Sequence, residues 1–66
     1  MLEKFPFRRD DVVQHVSKSG DRFVIRLVDD FVCEAYAENL DGGHGTRIIN
    51  PDNWTKVGIL HNGEIR

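Results

Sequence analysis

The chain is short of cysteine, proline, aromatic rings and long apolar runs, and each scarcity removes a class of explanation. Cys33 is the only cysteine, so no internal disulfide reinforces the fold and a cysteine-rich zinc site within one chain is excluded. No apolar run approaches the roughly 20 residues that span a bilayer as a helix. The start "MLEKFPFRRDD" carries no apolar stretch of the signal-peptide kind, and the expected compartment is the cytoplasm. An excess of one charge is missing as well. Nine Lys and Arg stand against eleven Asp and Glu, for a net charge of −2, and the two signs are finely interspersed. That balance argues against affinity drawn mainly from neutralising phosphates. Asn53-Trp54-Thr55 matches a glycosylation sequon, which has no weight without a secretory signal.

Repeats and low-complexity linkers are also absent, so the 66 residues read as one unit with one small core. Five or six short strands account for most of it. "DVVQHV" (11–16) is β-branched and is stopped by the turn cluster "SKSGD". "RFVIRLV" (22–28) and "VCEAYAE" (32–38) form a hairpin whose faces sort cleanly if residues 29–31 are the loop. Arg22, Val24 and Arg26 then oppose Glu38, Tyr36 and Glu34 on one face, and Phe23, Ile25 and Leu27 oppose Ala37, Ala35 and Cys33 on the other. An odd-length loop with a bulge is therefore expected. Setting large residues against small ones suits a strongly curved sheet, and curvature points to a barrel. "TRII" follows a glycine loop, "NPDN" favours a single 3₁₀ turn, "TKVGIL" resumes as a strand, and Asn62-Gly63 is a strong type I′ hairpin signal.

This succession, with a Pro-containing turn and Trp54 leading into a late strand, resembles the SH3-like small barrel over roughly residues 10–58. The layout is similar to small bacterial barrels of the Tudor-like or plasmid type II dihydrofolate reductase-like kind. The resemblance implies an all-β fold: one SH3-like five-stranded barrel, with a short 3₁₀ turn before the last strand and a C-terminal hairpin as an option. Residues 1–9 would be an N-terminal extension, 10–60 the barrel, and 61–66 a tail or short extra strand. That reductase family holds cofactor and folate with a Val-Gln-Ile-Tyr strand. The matching stretch here is Thr46-Arg47-Ile48-Ile49, which shares only the isoleucine, so the activity is not carried over. The Tudor likeness implies an aromatic groove for a methylated cation, to which Tyr36, Trp54, Phe31 and Glu34 would contribute. In size the chain resembles accessory proteins of bacteria or their phages.

Catalysis finds little support among the residues. "GGHG" (42–45) leads into a strand rather than a helix, which rules out a helix-based phosphate cradle. His15, His44 and His61 have no metal-ligand spacing, Cys33 falls on the apolar face, and Asp10-Asp11 and Asp29-Asp30 do not form a shared-proton dyad. No catalytic residue, metal or cofactor is expected. Binding is the better expectation: a non-catalytic module contacting a protein partner through Arg22, Arg26, Glu34, Tyr36, Arg47 and Trp54, with Asp41, Gly42, Gly43 and His44 as a recognition loop. Two alternatives stay open. One is nucleic-acid binding through Arg22, Arg26, Arg47 and Lys18 with an aromatic; the other is a ligand-binding oligomeric barrel. Phe5 and Phe7, flanking Pro6, either close the open end of the barrel or meet a second copy in a homodimer.

Overall fold

A computed structural model describes residues 4–17 and 21–66; Lys18, expected as a phosphate contact in the nucleic-acid alternative, lies outside the described residues. The elements are β1 (Asp11–His15), β2 (Arg22–Asp29), β3 (Glu34–Asn39), β4 (Gly45–Ile48), a 3₁₀ turn (Pro51–Asn53), β5 (Trp54–His61) and β6 (Glu64–Ile65). All pairings are antiparallel, in the order β4-β3-β2-β1-β5-β6. The fold is therefore all-β, the optional C-terminal hairpin adds a sixth strand to the five expected of a barrel, and the sheet is open rather than closed. The sixth strand exists because Asn62 (φ 50°) and Gly63 (φ 80°) take the two positive φ values of a type I′ turn, which lets Glu64 and Ile65 pair back onto β5. The 3₁₀ turn forms where expected: Pro51 opens it, and the Asn50 side chain accepts the Asp52 N–H as its cap. No helix among the described residues is long and apolar enough to cross a membrane.

The sheet nonetheless curls. Val13 of β1, Ile25 of β2, Ala35 and Ala37 of β3 and Ile48 of β4 share one buried cluster, against which Phe23, Val28, Cys33 and Trp54 pack. Val12 and Val24, paired across β1 and β2, are equally buried although their side chains alternate to the second face. Val12 also pairs with Gly58 of β5, over which Ile65 folds.

The hairpin register differs from the expected one. Phe23, Val24 and Ile25 oppose Asn39, Glu38 and Ala37, and after a break Leu27, Val28 and Asp29 oppose Tyr36, Ala35 and Glu34. Arg26 is the extra residue of a β-bulge. The bulge reverses the parity, so Ile25 and Val28 both face the core while Leu27, expected inside, is 67% exposed. The loop is Asp30–Cys33, an even number of residues, because the Asp29 carboxylate accepts the N–H groups of Phe31 and Val32 at 3.0 and 3.4 Å and organises the turn. Cys33 stands in that turn at φ 57° instead of in a strand, yet its side chain still packs against the core.

What covers the core is the N-terminal segment. Phe5 is the largest fully buried side chain, and Phe7 is 8% exposed; their rings meet edge to face at 5.7 Å. The strap is held by Asp30, whose carboxylate accepts the Phe5 N–H at 2.9 Å and two Arg8 guanidinium N–H groups at 3.1 and 2.7 Å. Arg8 also donates to the Phe5 carbonyl. Asp11, 7% exposed, accepts the Arg8 N–H at 2.8 Å and faces Lys56 at 3.3 Å. Phe5 and Phe7 thus close the core of their own chain, the first of the two roles considered for them. Within the segment counted as an extension, Phe5 and Phe7 are part of the core.

Two outcomes follow from this closure. Phe5→Ala removes the largest core side chain and is expected to cost about 3–5 kcal/mol in urea unfolding; a loss below ~1 kcal/mol contradicts the closure. The Asp30 carboxyl is lowered from 3.8 to about 2, first by the Arg8 hydrogen bond and then by the Phe5 N–H. A depressed carboxylate stabilises the fold fully above its unfolded value and loses that contribution as pH falls from about 4 toward 2. Asp30→Asn is expected to abolish that share of the acid sensitivity in an acid-unfolding series, and a carboxyl NMR titration of Asp30 with a midpoint near its ordinary value overturns the account.

Candidate functional site

The outer face of the sheet, turned away from the Phe5 core, is set by register. Leu27 of β2 lies opposite Tyr36 of β3, and Tyr36 opposite Arg47 of β4, so the three side chains form one row across three strands. Together with Val32 and Glu34 they line a shallow cleft of about 270 Å³. Leu27 is 67% exposed, Phe31 79%, Val32 52% and Tyr36 47%, which gathers four large apolar side chains on and beside the β2–β3 hairpin. Such a concentration is more than scattered surface apolar residues explain.

The cations expected on this face are present and each has an acidic neighbour, which for Arg22 and Arg26 is not the partner expected. Arg26 donates to Glu38 at 3.1 Å, Arg47 lies 3.9 Å from Glu34, and Arg22 lies 3.6 Å from Asp41. The shifted register changes both of the pairs that were expected. Arg26 was to face Glu34 and Arg22 to face Glu38.

Trp54 does not join them. It sits on the core side, in perpendicular contact with Phe23 at 5.3 Å and His15 at 5.1 Å. Tyr36 and Trp54 occupy opposite faces of the sheet, and no aromatic cage for a methylated cation forms from Tyr36, Trp54, Phe31 and Glu34. Trp54 instead helps to line a second cleft of about 500 Å³, with Phe23, His15, His44, Thr46, Ile49 and neighbouring polar residues. Its walls come from β4 on one side and the ends of β1 and β5 on the other, brought together by the curl. The Ser17 backbone N–H donates to His15 Nδ1 at 3.2 Å.

The glycine loop is a built turn. Asn39, 5% exposed, accepts the N–H groups of Asp41 and Gly42 on its side-chain oxygen at 2.7 Å each. Its carbonyl accepts the Gly43 N–H at 2.9 Å and its own N–H donates to the His44 carbonyl at 2.7 Å. The amides of Asp41, Gly42 and Gly43 are therefore already used. Gly43, at φ 79°, supplies the left-handed step, and His44 alone of this loop reaches the core-side cleft. Gly45 has a separate purpose: the Tyr36 phenol lies across it, in space that a β-carbon would occupy, an aromatic ring covering an edge-strand glycine.

Among the described residues no three His, Cys, Asp or Glu side chains gather closely enough to hold a metal ion. No family model, curated protein or solved structure matches this chain. The residues that sequence reasoning did not place in a site are Leu27 and Val32 outside and His15, Phe23 and Ile49 in the core-side cleft. Only the adjacency of Leu27 and Val28, two apolar residues either of which can face inward, signalled the ambiguity.

The contact between Tyr36 and Gly45 is testable by a double-mutant cycle. Gly45→Ala forces the phenol aside and is expected to lower stability by about 0.5–1 kcal/mol in thermal unfolding. In a Tyr36→Ala background the same substitution is expected to cost nothing; equal costs in both backgrounds contradict the contact.

Proposed function

We propose that this chain is an SH3-like small barrel acting as a non-catalytic module that binds another protein. The fold reading is supported by the strand order β4-β3-β2-β1-β5 with a 3₁₀ turn immediately before β5, the arrangement expected of that layout with its seam left open. The functional reading rests on one observation above the others: Leu27 and Tyr36, paired across β2 and β3, stand exposed in one cleft with Val32, Arg47 and Glu34, and Phe31 is exposed in the turn that joins the two strands. An apolar centre with a charged border is the anatomy of a protein interface, where Tyr and Arg are the residues that most often carry the energy. Asp29 and Asp30 hold the hairpin from within, so the surface is pre-organised and little ordering entropy opposes binding. The lone free thiol, partly buried at Cys33, suits a reducing compartment such as the cytoplasm.

The nucleic-acid alternative draws less support. Arg22, Arg26 and Arg47 each face a carboxylate, which a phosphate would have to displace. The ligand-binding oligomer draws less support as well, because Thr46-Arg47-Ile48-Ile49 shares only the isoleucine with the ligand-holding strand of the reductase.

Affinity capture from lysate with and without nuclease, comparing the native chain with Leu27→Asp and Tyr36→Ala, tests the reading. Both substitutions lie on the exposed face, and loss of the same protein by about tenfold or more in each is expected, with nuclease having no effect. Capture unchanged in both variants, or abolished by nuclease, overturns it.

A further inference from the structure

We propose that the partner is held as an extended segment that adds a strand to the free edge of β4; this rests on the protein-binding reading and says how the same surface is used. The sheet has two edges, β4 and β6. β6 is two residues at the end of a tight hairpin, whereas β4 runs from Gly45 to Ile48.

Backbone parity decides what β4 offers. Hydrogen-bonded and non-hydrogen-bonded pairs alternate along an antiparallel ladder. The Asn39 N–H bonds to the His44 carbonyl, so the pairs Ala37–Thr46 and Ala35–Ile48 are the ones that exchange hydrogen bonds with β3. The N–H and C=O groups of Gly45 and Arg47 consequently point off the edge. Among the described residues, no loop, cap or side-chain hydrogen bond is made to the backbone of either residue. Two such residues, one apart in the strand, present the spacing with which another strand pairs.

Side-chain placement says what that strand would carry. An added strand continues the alternation of faces. One set of its residues stands on the outer face beside Arg47 and Tyr36, and the other set turns toward the core-side cleft, walled by Phe23, Ile49 and Trp54. Arg47 borders both clefts, and the edge of β4 runs between them. The core-side cleft, at about 500 Å³, takes an aromatic or long aliphatic side chain. On the outer face Arg47 is the least engaged of the three arginines, its side chain 72% exposed and 3.9 Å from Glu34, so an acidic residue on the incoming strand complements it. The partner segment is therefore an alternation of apolar and acidic residues. A second copy of this chain fits poorly, because pairing β4 with β4 places two Arg47 side chains on one face of neighbouring strands.

The test selects linear ten-residue peptides from a phage-displayed random library against the whole chain, then titrates a synthetic copy of the most enriched peptide into isotope-labelled protein. Apolar–acidic alternation is expected in the peptide, with about tenfold or greater slowing of hydrogen exchange at the Gly45 and Arg47 amides and a shift of the Trp54 indole resonance. N-methylation of alternate peptide residues is expected to abolish binding while methylation of the intervening ones does not. A peptide that perturbs only Leu27, Phe31 and Tyr36, with exchange at Gly45 and Arg47 unchanged, overturns strand addition and leaves the protein-binding reading standing. Failure to enrich any peptide also overturns it, and the protein-binding reading then stands or falls on the Leu27→Asp and Tyr36→Ala capture experiment.

Discussion

Burial of Phe5 beneath an Asp30 clasp is the constraint on which the remaining structure depends. A chain of 66 residues has little apolar surface to bury, and its open six-stranded sheet leaves the concave side uncovered. The strand residues on that side are mostly small or β-branched: Val13, Ile25, Ala35, Ala37 and Ile48. Alanines on β3 leave room, and two phenylalanines from outside the sheet fill it. The Phe5 amide and the Arg8 guanidinium converge on one carboxylate, so the cover is fixed by directional bonds as well as by packing. Asp30 lies in the β2–β3 turn, and the same turn that fixes the cover also presents Phe31 and Val32 to solvent. Core closure and the candidate binding surface are two sides of one loop.

The bulge at Arg26 is the second element of this coupling. It turns Val28 inward to meet Ala35 and sends Leu27 outward to meet Tyr36. Continued without the bulge, the register of Phe23 to Ile25 would keep Leu27 in the core and set Arg26, not Leu27, opposite Tyr36. One extra residue therefore exchanges a conventional hairpin for a local apolar surface, at a place where Arg26 with Glu38 and Arg47 with Glu34 keep the border charged. Exposed pairs of this kind add little stability. Their effect is on which partners approach and in what orientation.

Much of this architecture was legible in the residues, and the parts that were not share a cause. Strand positions could be read because β-branched runs end at strong local signals: Pro51 for the 3₁₀ turn and Asn62-Gly63 for the last hairpin. Tyr36 facing out and Arg47 joining it followed from alternation alone. Register was not legible, since Leu27 and Val28 are both apolar and either satisfies an inward position. The clasp was not legible either, because Phe5 and Asp30 are 25 residues apart and nothing local marks Asp30 as a partner for the N-terminus. The division of Trp54 and Tyr36 between opposite faces depends on how the sheet curls, which brings β4 within reach of the start of β5 without pairing them. Local chemistry was readable; parity after a bulge and contacts across the fold were not.

Native-state hydrogen exchange at the Phe5 amide tests the central claim most directly. That N–H is bonded to Asp30 outside any strand. If the strap is integral to the core, Phe5 exchanges only when the whole sheet opens, with the same free energy and the same denaturant dependence as the central-strand amides of Val13 and Ile25. Exchange at Phe5 that is orders of magnitude faster than at those amides and insensitive to denaturant, with the sheet still protected, would show the strap to be an accessory segment and contradict the account.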